Sequence, residues 1–465
     1  MMLYQRPITL PPMVTPLPAV PPPSTLASPA MNLNASAATS YLTVPLMNGA
    51  TGHFLQAPDL RTCALRVQIP MEGVTPGSEQ LLVQMLSEGS ESTKHILAQL
   101  ENRGIQILLG NVDNRLTVFA SAPSAQAGAM VQAVLNLLRN PIVDPAAFNT
   151  VQGKLLHQVQ GLFSDPDIRL STAMSKQIYG PRHTFSRTPQ ETFNSVAGQT
   201  LAGMMAQYGQ MLQRPDAVQM LLVSPQPVSL QQQWVNDAIP RAGWFRDPYR
   251  AIGAGRELPL PNPQGDRRPV LVPNDSLQRA LVQVTWKTPD VRDPDYPAYL
   301  LLREILRGYS KGSFFQTLRT DHGLVYRIVQ SSSSRLAQGQ CYDVSMELDF
   351  NRIQQALADV DAVTQELCRN PVTPAQMETM KRKLLLENRE MRQSADGVAN
   401  QAMPWFNLGL PPIDSKQLEA ALAQVDAPGL QRAANRIFNP AYGFRLVGVS
   451  APRAILQQTF PTESV

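Results

Sequence analysis

The 465 residues exceed what one ordinary core organises and point to two to four domains. A hydrophobic fraction of 43% with 16% charge is globular, and a net charge of +4 over this length is no electrostatic footprint for nucleic acid. No apolar run reaches the 18 residues of a transmembrane helix, and three scattered cysteines (Cys63, Cys341, Cys368) form neither a disulfide framework nor a zinc ribbon, which fits a reducing compartment.

Residues 1–40 hold nine prolines and one charged residue, Arg6. Proline removes backbone donors and interrupts every apolar stretch that could serve as a signal peptide, so this segment reads as a flexible extension and the protein as cytoplasmic, of bacterial type. From Tyr41 the chain becomes regular. Leu65–Ile69 alternates as a strand. Thr75-Pro76 is an N-cap and first-turn proline, which predicts a helix from there to Gly89. A helix over Thr93–Asn102, a strand over Leu116–Ala120 and a helix over Ala125–Leu138 follow. Asp144-Pro145 opens another helix, with Phe148, Val151, Leu155 and Val159 on one face.

The same order returns in the second half. Leu281–Trp286 is a strand, Pro297–Leu306 a helix, Phe314–Arg319 a helix closed near Gly323, Tyr342–Leu348 a strand and Ile353–Cys368 a long amphipathic helix. Thr373-Pro374 caps the next. Pro145-AAFNTVQGKLL156 lies over Pro374-AQMETMKRKLL385 with Pro, Ala, Thr, Lys, Leu and Leu in place, and Arg-Asn-Pro precedes both copies. Agreement of cap, turn and element order predicts two related α+β domains, 41–245 and 273–465, joined by the Gly- and Pro-rich segment 246–272.

Chemistry is sparse. His53, His95, His157, His183 and His322 offer no pair three to five residues apart, and GxSxG, P-loop and GxGxxG words are absent. Met204, Met205 and Met211 read as core filling, and the charge run 381–392 as a solvated helix face.

Four words nevertheless resemble the M16 (insulinase, pitrilysin and mitochondrial processing peptidase) family. Gly73 and Gly77-SEQLLVQMLSEGS90 are similar to the glycine and zinc helix G-x-x-H-x-x-E-H-x-x-x-x-G-[TS]. Gly77, Gly89 and Ser90 fall in register, but Gln80 and Gln84 stand in the two His places and Val83 in that of the general-base Glu. The helix from Asp144 carries Val151 and Gln158 where the family has two glutamates, one a zinc ligand; an adjacent register puts His157 there, without partners. Tyr179-GPRHTFSRTPQET192, with His183 and Arg187, resembles a further word whose role reads as structural. Ser313-FFQTLRTDHGLVYRI328 resembles S-x-L-F-Q-x-L-R-E-x-x-G-L-A-Y.

The resemblance implies two homologous domains, each a mostly antiparallel sheet with helices packed on one face. It assigns Arg319 and Tyr326 to holding substrate, where guanidinium and phenol donate to peptide carbonyls. Read from residues alone, Arg319 caps its own helix and Tyr326 is core. Neutral Gln is a poor zinc ligand and Val cannot activate water, so this chain is expected to carry no zinc of its own. The reading is a non-catalytic subunit of a two-chain metalloprotease, a heterodimer with a zinc-bearing HxxEH subunit, acting on unfolded peptide. The alternative is a stand-alone scaffold or peptide-binding pseudo-protease.

Overall fold

The computed structural model describes residues 40–245, 267–289, 291–308, 313–332, 340–412, 414–441 and 443–463. The proline-rich residues 1–39 and most of the expected linker, 246–266, lie outside them.

In chain order the first half runs β1 (Tyr41–Pro45), β2 (Thr51–Gln56), β3 (Thr62–Pro70), α1 (Glu79–Glu88), α2 (Glu91–Glu101), β4 (Gln106–Val112), β5 (Arg115–Pro123), α3 (Ala127–Arg139), α4 (Pro145–Gly161), α5 (Pro166–Tyr179), α6 (Pro189–Ala197), α7 (Leu201–Leu212), β6 (Gln219–Ser224) and α8 (Val228–Arg241). The second runs β7 (Val270–Pro273), β8 (Ala280–Thr288), α9 (Tyr296–Arg307), a π-helical turn (Phe315–Asp321), β9 (Val325–Ser332), β10 (Gln340–Leu348), α10 (Ile353–Arg369), α11 (Pro374–Met391), α12 (Ala395–Phe406), α13 (Ser415–Ala423), α14 (Ala427–Phe438), β11 (Arg445–Ala451) and α15 (Arg453–Thr459). Val270–Val272, assigned to the linker by composition, are strand: β7 pairs in parallel with β11, Leu271 packs on the core of the second half, and Val270 and Val272 pack in the cluster that α5 shares with β8 and β11.

The expected repeat is visible in the sheets. The first has the order β1-β2-β6-β3-β5-β4 and the second β7-β11-β8-β10-β9. In each, one parallel pair (β2 with β6, β7 with β11) is followed by antiparallel pairs only. The motif that announced the repeat shows its physical reason. Asp144 and Thr373 cap α4 and α11 by accepting from the third backbone N–H on, Ala147 and Gln376. Phe148 and Leu155 of α4, like Met377 and Leu384 of α11, are buried. Lys154 donates to Glu88 on α1 (3.1 Å), and the matching Lys383 to Glu304 on α9 (2.9 Å).

One face of each sheet carries that half's own helices, as expected. Strand alternation sends Cys63, Leu65, Val67 and Ile69 into one core, with Met204 and Met211, and Val282, Val284 and Trp286 into the other. The structure adds a helix on the opposite face of each sheet, taken from the other half. α12 lies on Leu55, Ala64, Leu221 and Val223 of the first sheet. α5, its counterpart in the repeat, lies on Leu281, Cys341 and Leu446 of the second.

Candidate functional site

The first helix starts later than its sequence suggests. Thr75 and Pro76 form a turn in which Ser78 N donates to the Thr75 carbonyl (3.0 Å), and α1 begins at Glu79. Gly77 forces this: its φ is +99°, left-handed, and an added Cβ would meet Ser195 at 2.9 Å. Gly73 (φ +84°) and Gly323 (φ +58°) of the other family-like words are left-handed too. The Gly77 N–H donates to Glu79 (2.7 Å), whose buried carboxylate is paired with Arg187 (3.3 Å). His183, Tyr179 and Phe185 form a cluster of three mutually contacting rings, and His183 accepts from Phe185 N (3.2 Å). The 179–192 segment thus braces the start of α1.

α1 packs on the edge strand β4 and on α4. Val83 is 2% exposed and Val151 4%, both within the apolar core. Gln80 and Gln158 are exposed, as is His157. Gln84 is half-buried, and its Oε1 is enclosed without a hydrogen-bond partner among the described residues. A zinc ion does not fit this donor set. Two of the family-like positions are core hydrocarbon and the rest are neutral amides, whereas zinc sites use thiolate, imidazole or carboxylate. Among the described residues, no three His, Cys, Asp or Glu side chains come together as a metal cluster.

The word at 313–328 forms a π-helical turn rather than the α-helix expected, its end closed by Leu324 N donating to the Leu318 carbonyl (2.8 Å) after left-handed Gly323. Phe314 is buried against Trp286. Arg319 is exposed, its guanidinium 5.6 Å from the Phe315 ring. Tyr326, at the start of β9, is 66% exposed and is not core. Arg279 lies over its ring at 4.4 Å and also meets Asp349 at 3.7 Å. Nothing in the sequence marked Arg279. Both words therefore lead to a strand that is terminal in its sheet among the described residues: α1 lies on β4, and the π-helical turn packs beside β9. On β4, Leu108 is 68% and Val112 38% exposed.

Comparison with known proteins places this fold among those of the M16 peptidases. Residues 239–384 match the family model described as Peptidase M16 inactive domain. A peptidase M16 inactive domain from Pseudomonas fluorescens is 18% identical, with a TM-score of 0.74 over 89% of this chain and 98% of that one. A protease from Helicobacter pylori is 13% identical, with a TM-score of 0.74 over 89% of this chain and all of that one. The periplasmic protease PqqL from Escherichia coli is 14% identical at a TM-score of 0.71; this chain, 92% covered, spans 48% of it. No curated protein matches significantly. The fold is therefore that of these M16 proteins, residues 239–384 carry the match to the inactive-domain model, and the resemblance read from the sequence words holds. Among the described residues, no helix is long and apolar enough to cross a membrane.

Proposed function

We propose that this chain is a zinc-less M16-type subunit that holds unfolded peptide for a catalytic HxxEH-bearing partner. The observation that carries the reading is the occupation of the family-like metal and base positions by Gln80, Val83, Gln84, Val151 and Gln158, with both valines in the core. Chemistry at these positions is lost while the fold around them is kept. The open edge of β4 supports the holding role. Among the described residues β4 has no strand partner on its outer side, and that row of backbone N–H and C=O groups beside exposed Leu108 and Val112 suits an added extended strand. Arg319 and Tyr326, both exposed, supply donors from the second half. The cysteines Cys63, Cys341 and Cys368 are few, scattered and mostly buried, which favours a reducing, cytoplasmic setting.

The test mixes the full chain with an HxxEH-bearing M16 subunit from the same genome and follows cleavage of an unfolded peptide. The chain alone is expected to be inactive and the pair to cleave faster than the partner alone. Arg319→Ala or Tyr326→Phe should lower the stimulated rate about tenfold or more, since losing one donor on substrate costs about 1–3 kcal/mol. The complex should stay intact by light scattering. A complex that forms without any stimulation would overturn the subunit reading in favour of a stand-alone peptide-binding scaffold.

A further inference from the structure

The mostly apolar helix α9 carries one fully buried carboxylate, Glu304, among buried Leu301, Leu302, Ile305 and Leu306. One cation would satisfy it. Three converge on it: Lys383 of α11 at 2.9 Å, Arg303 at 3.2 Å and Arg307 at 3.5 Å. Burial pushes the Glu304 carboxyl up, but the hydrogen bond from Lys383 and the charges of all three cations outweigh it and hold the group below its ordinary 4.5. Glu304 is therefore ionised at neutral pH and offsets one positive charge of the three. Half-exposed Glu387, 3.7 Å from Lys383, offsets part of a second.

The remaining surplus has a cost, because Arg303 and Arg307 stand one turn apart on one helix face and repel. Arg307 has a local reason, since a cation in the last turn of α9 meets the negative end of the helix. Arg303, a turn earlier, has no such reason, and its side chain is only 22% exposed. Its Nε donates to Glu304, and its two terminal nitrogens make no hydrogen bond among the described residues. The internal repeat supplies the contrast. Lys154, the counterpart of Lys383, meets Glu88 alone at 3.1 Å, both partly exposed, and α1 carries no basic residue. The surplus of positive charge belongs to the second half.

We propose that Arg303 and Arg307, with Lys383 beside them, form a binding site for a compact oxyanion, either a phosphate group or the carboxylate end of a peptide. Guanidinium forks present paired N–H donors that match the paired oxygens of both groups. Glu304 positions the two guanidinium groups from the buried side, and the bound anion relieves the repulsion between them. Phosphate matches the surplus better, because it approaches a double negative charge at neutral pH.

Isothermal titration of the full chain at constant ionic strength tests the site, with inorganic phosphate, N-acetyl-trialanine bearing a free carboxylate, and the same peptide amidated as probes. Saturable binding of phosphate is expected, with weaker binding of the free acid and none of the amide. Arg303→Gln should weaken phosphate binding about tenfold or more, the scale of one lost charge-assisted hydrogen bond, and Arg307→Gln should act alike. Both variants keep the Lys383–Glu304 pair, so the thermal midpoint without phosphate should stay level or rise. Lys154→Gln removes the same charge from the first half and should leave the affinity unchanged, which separates a site from general attraction to a chain of net charge +4. Tighter binding of the free-acid peptide than of phosphate would keep the site and assign it to peptide ends. No saturable binding of any probe, binding unmoved by both arginine variants, or equal weakening by Lys154→Gln would overturn it.

Discussion

The two sheets have the same strand order over their common strands, yet each is closed on its second face by a helix from the other half, and the two closures use different chemistry. On the first sheet, α12 is held by polar groups rising from the strands. Arg66 of β3, 2% exposed, donates to Asp396 (2.7 Å) and Asn400 (3.1 Å). Asn407 donates to Gln68 (2.7 Å), and the His53 ring stacks on Phe406 at 4.0 Å. On the second sheet, α5 is held by close apolar contact. Leu170, Met174 and Ile178 lie on Leu281, Phe444 and Leu446, and Gly448 brings the Met174 sulphur down onto the β11 backbone. The Asp167–Arg327 pair (3.1 Å) sits at an exposed rim. Polar groups fix the register of one exchanged helix and shape fixes the other. Because the exchange is reciprocal, neither sheet has both faces covered without the other half.

Breaking the polar closure should cost most, and asymmetrically. Asp396→Ala strands the buried Arg66 guanidinium, for about 2–3 kcal/mol, below the full cost of breaking a buried pair because Asp396 is 45% exposed. Arg66→Leu strands no charge away from water, since the carboxylate it leaves is half-exposed and its other acceptors are neutral, and should cost less; urea unfolding of both variants reads the order, and equal losses would contradict it. Gly448→Val attacks the apolar closure. Its methyl groups would overlap Met174 and Leu170, whose flexible ends can partly yield, so about 1–2 kcal/mol is expected in the same assay. The smallest effect is a pH dependence confined to the first sheet. Burial holds His53 below its ordinary 6.5, with the hydrogen bond to Gln219 (2.7 Å) pulling the other way. The unfolded chain then takes up this proton first as the solution is acidified. The stability that His53 confers is complete above pH 6.5 and is lost as pH falls from there through the folded value. The wild-type minus His53→Gln difference, followed by urea unfolding from pH 7.5 to 5, should shrink with acid; a flat difference would remove His53 from the account.

Much of this architecture was legible because its causes are local. The Asp144 and Thr373 caps, the 3.6-residue apolar periodicity after them and the paired Lys154 and Lys383 lie within single helices, so the repeat could be read directly. α1 starts later than its Thr-Pro suggests because that pair is a good cap only where the next residue can stay helical, and Gly77 is left-handed, at a place where a side chain would collide with Ser195. The helix exchange left no local mark: α5 and α12 have ordinary amphipathic sequences, and the partner sheet is chosen by chain path. Arg66 was the available signal, a charge inside the otherwise alternating Leu65–Ile69 strand, since such a residue needs a partner. Around the candidate site, the family-like words pointed to Gln80, Gln84, Arg319 and Tyr326 as candidates. The placement of Tyr326 in the open under Arg279 depended on tertiary packing that pattern does not encode.

The central claim is that the family-like zinc positions of this chain have lost metal chemistry. Its most direct test is zinc stoichiometry: the purified full chain, dialysed against micromolar zinc and then against zinc-free buffer, is analysed for metal. The account predicts far less than one zinc per chain, unchanged in Gln80→Ala and Gln84→Ala. About one zinc per chain, lost on His157→Ala or His183→Ala, would contradict it.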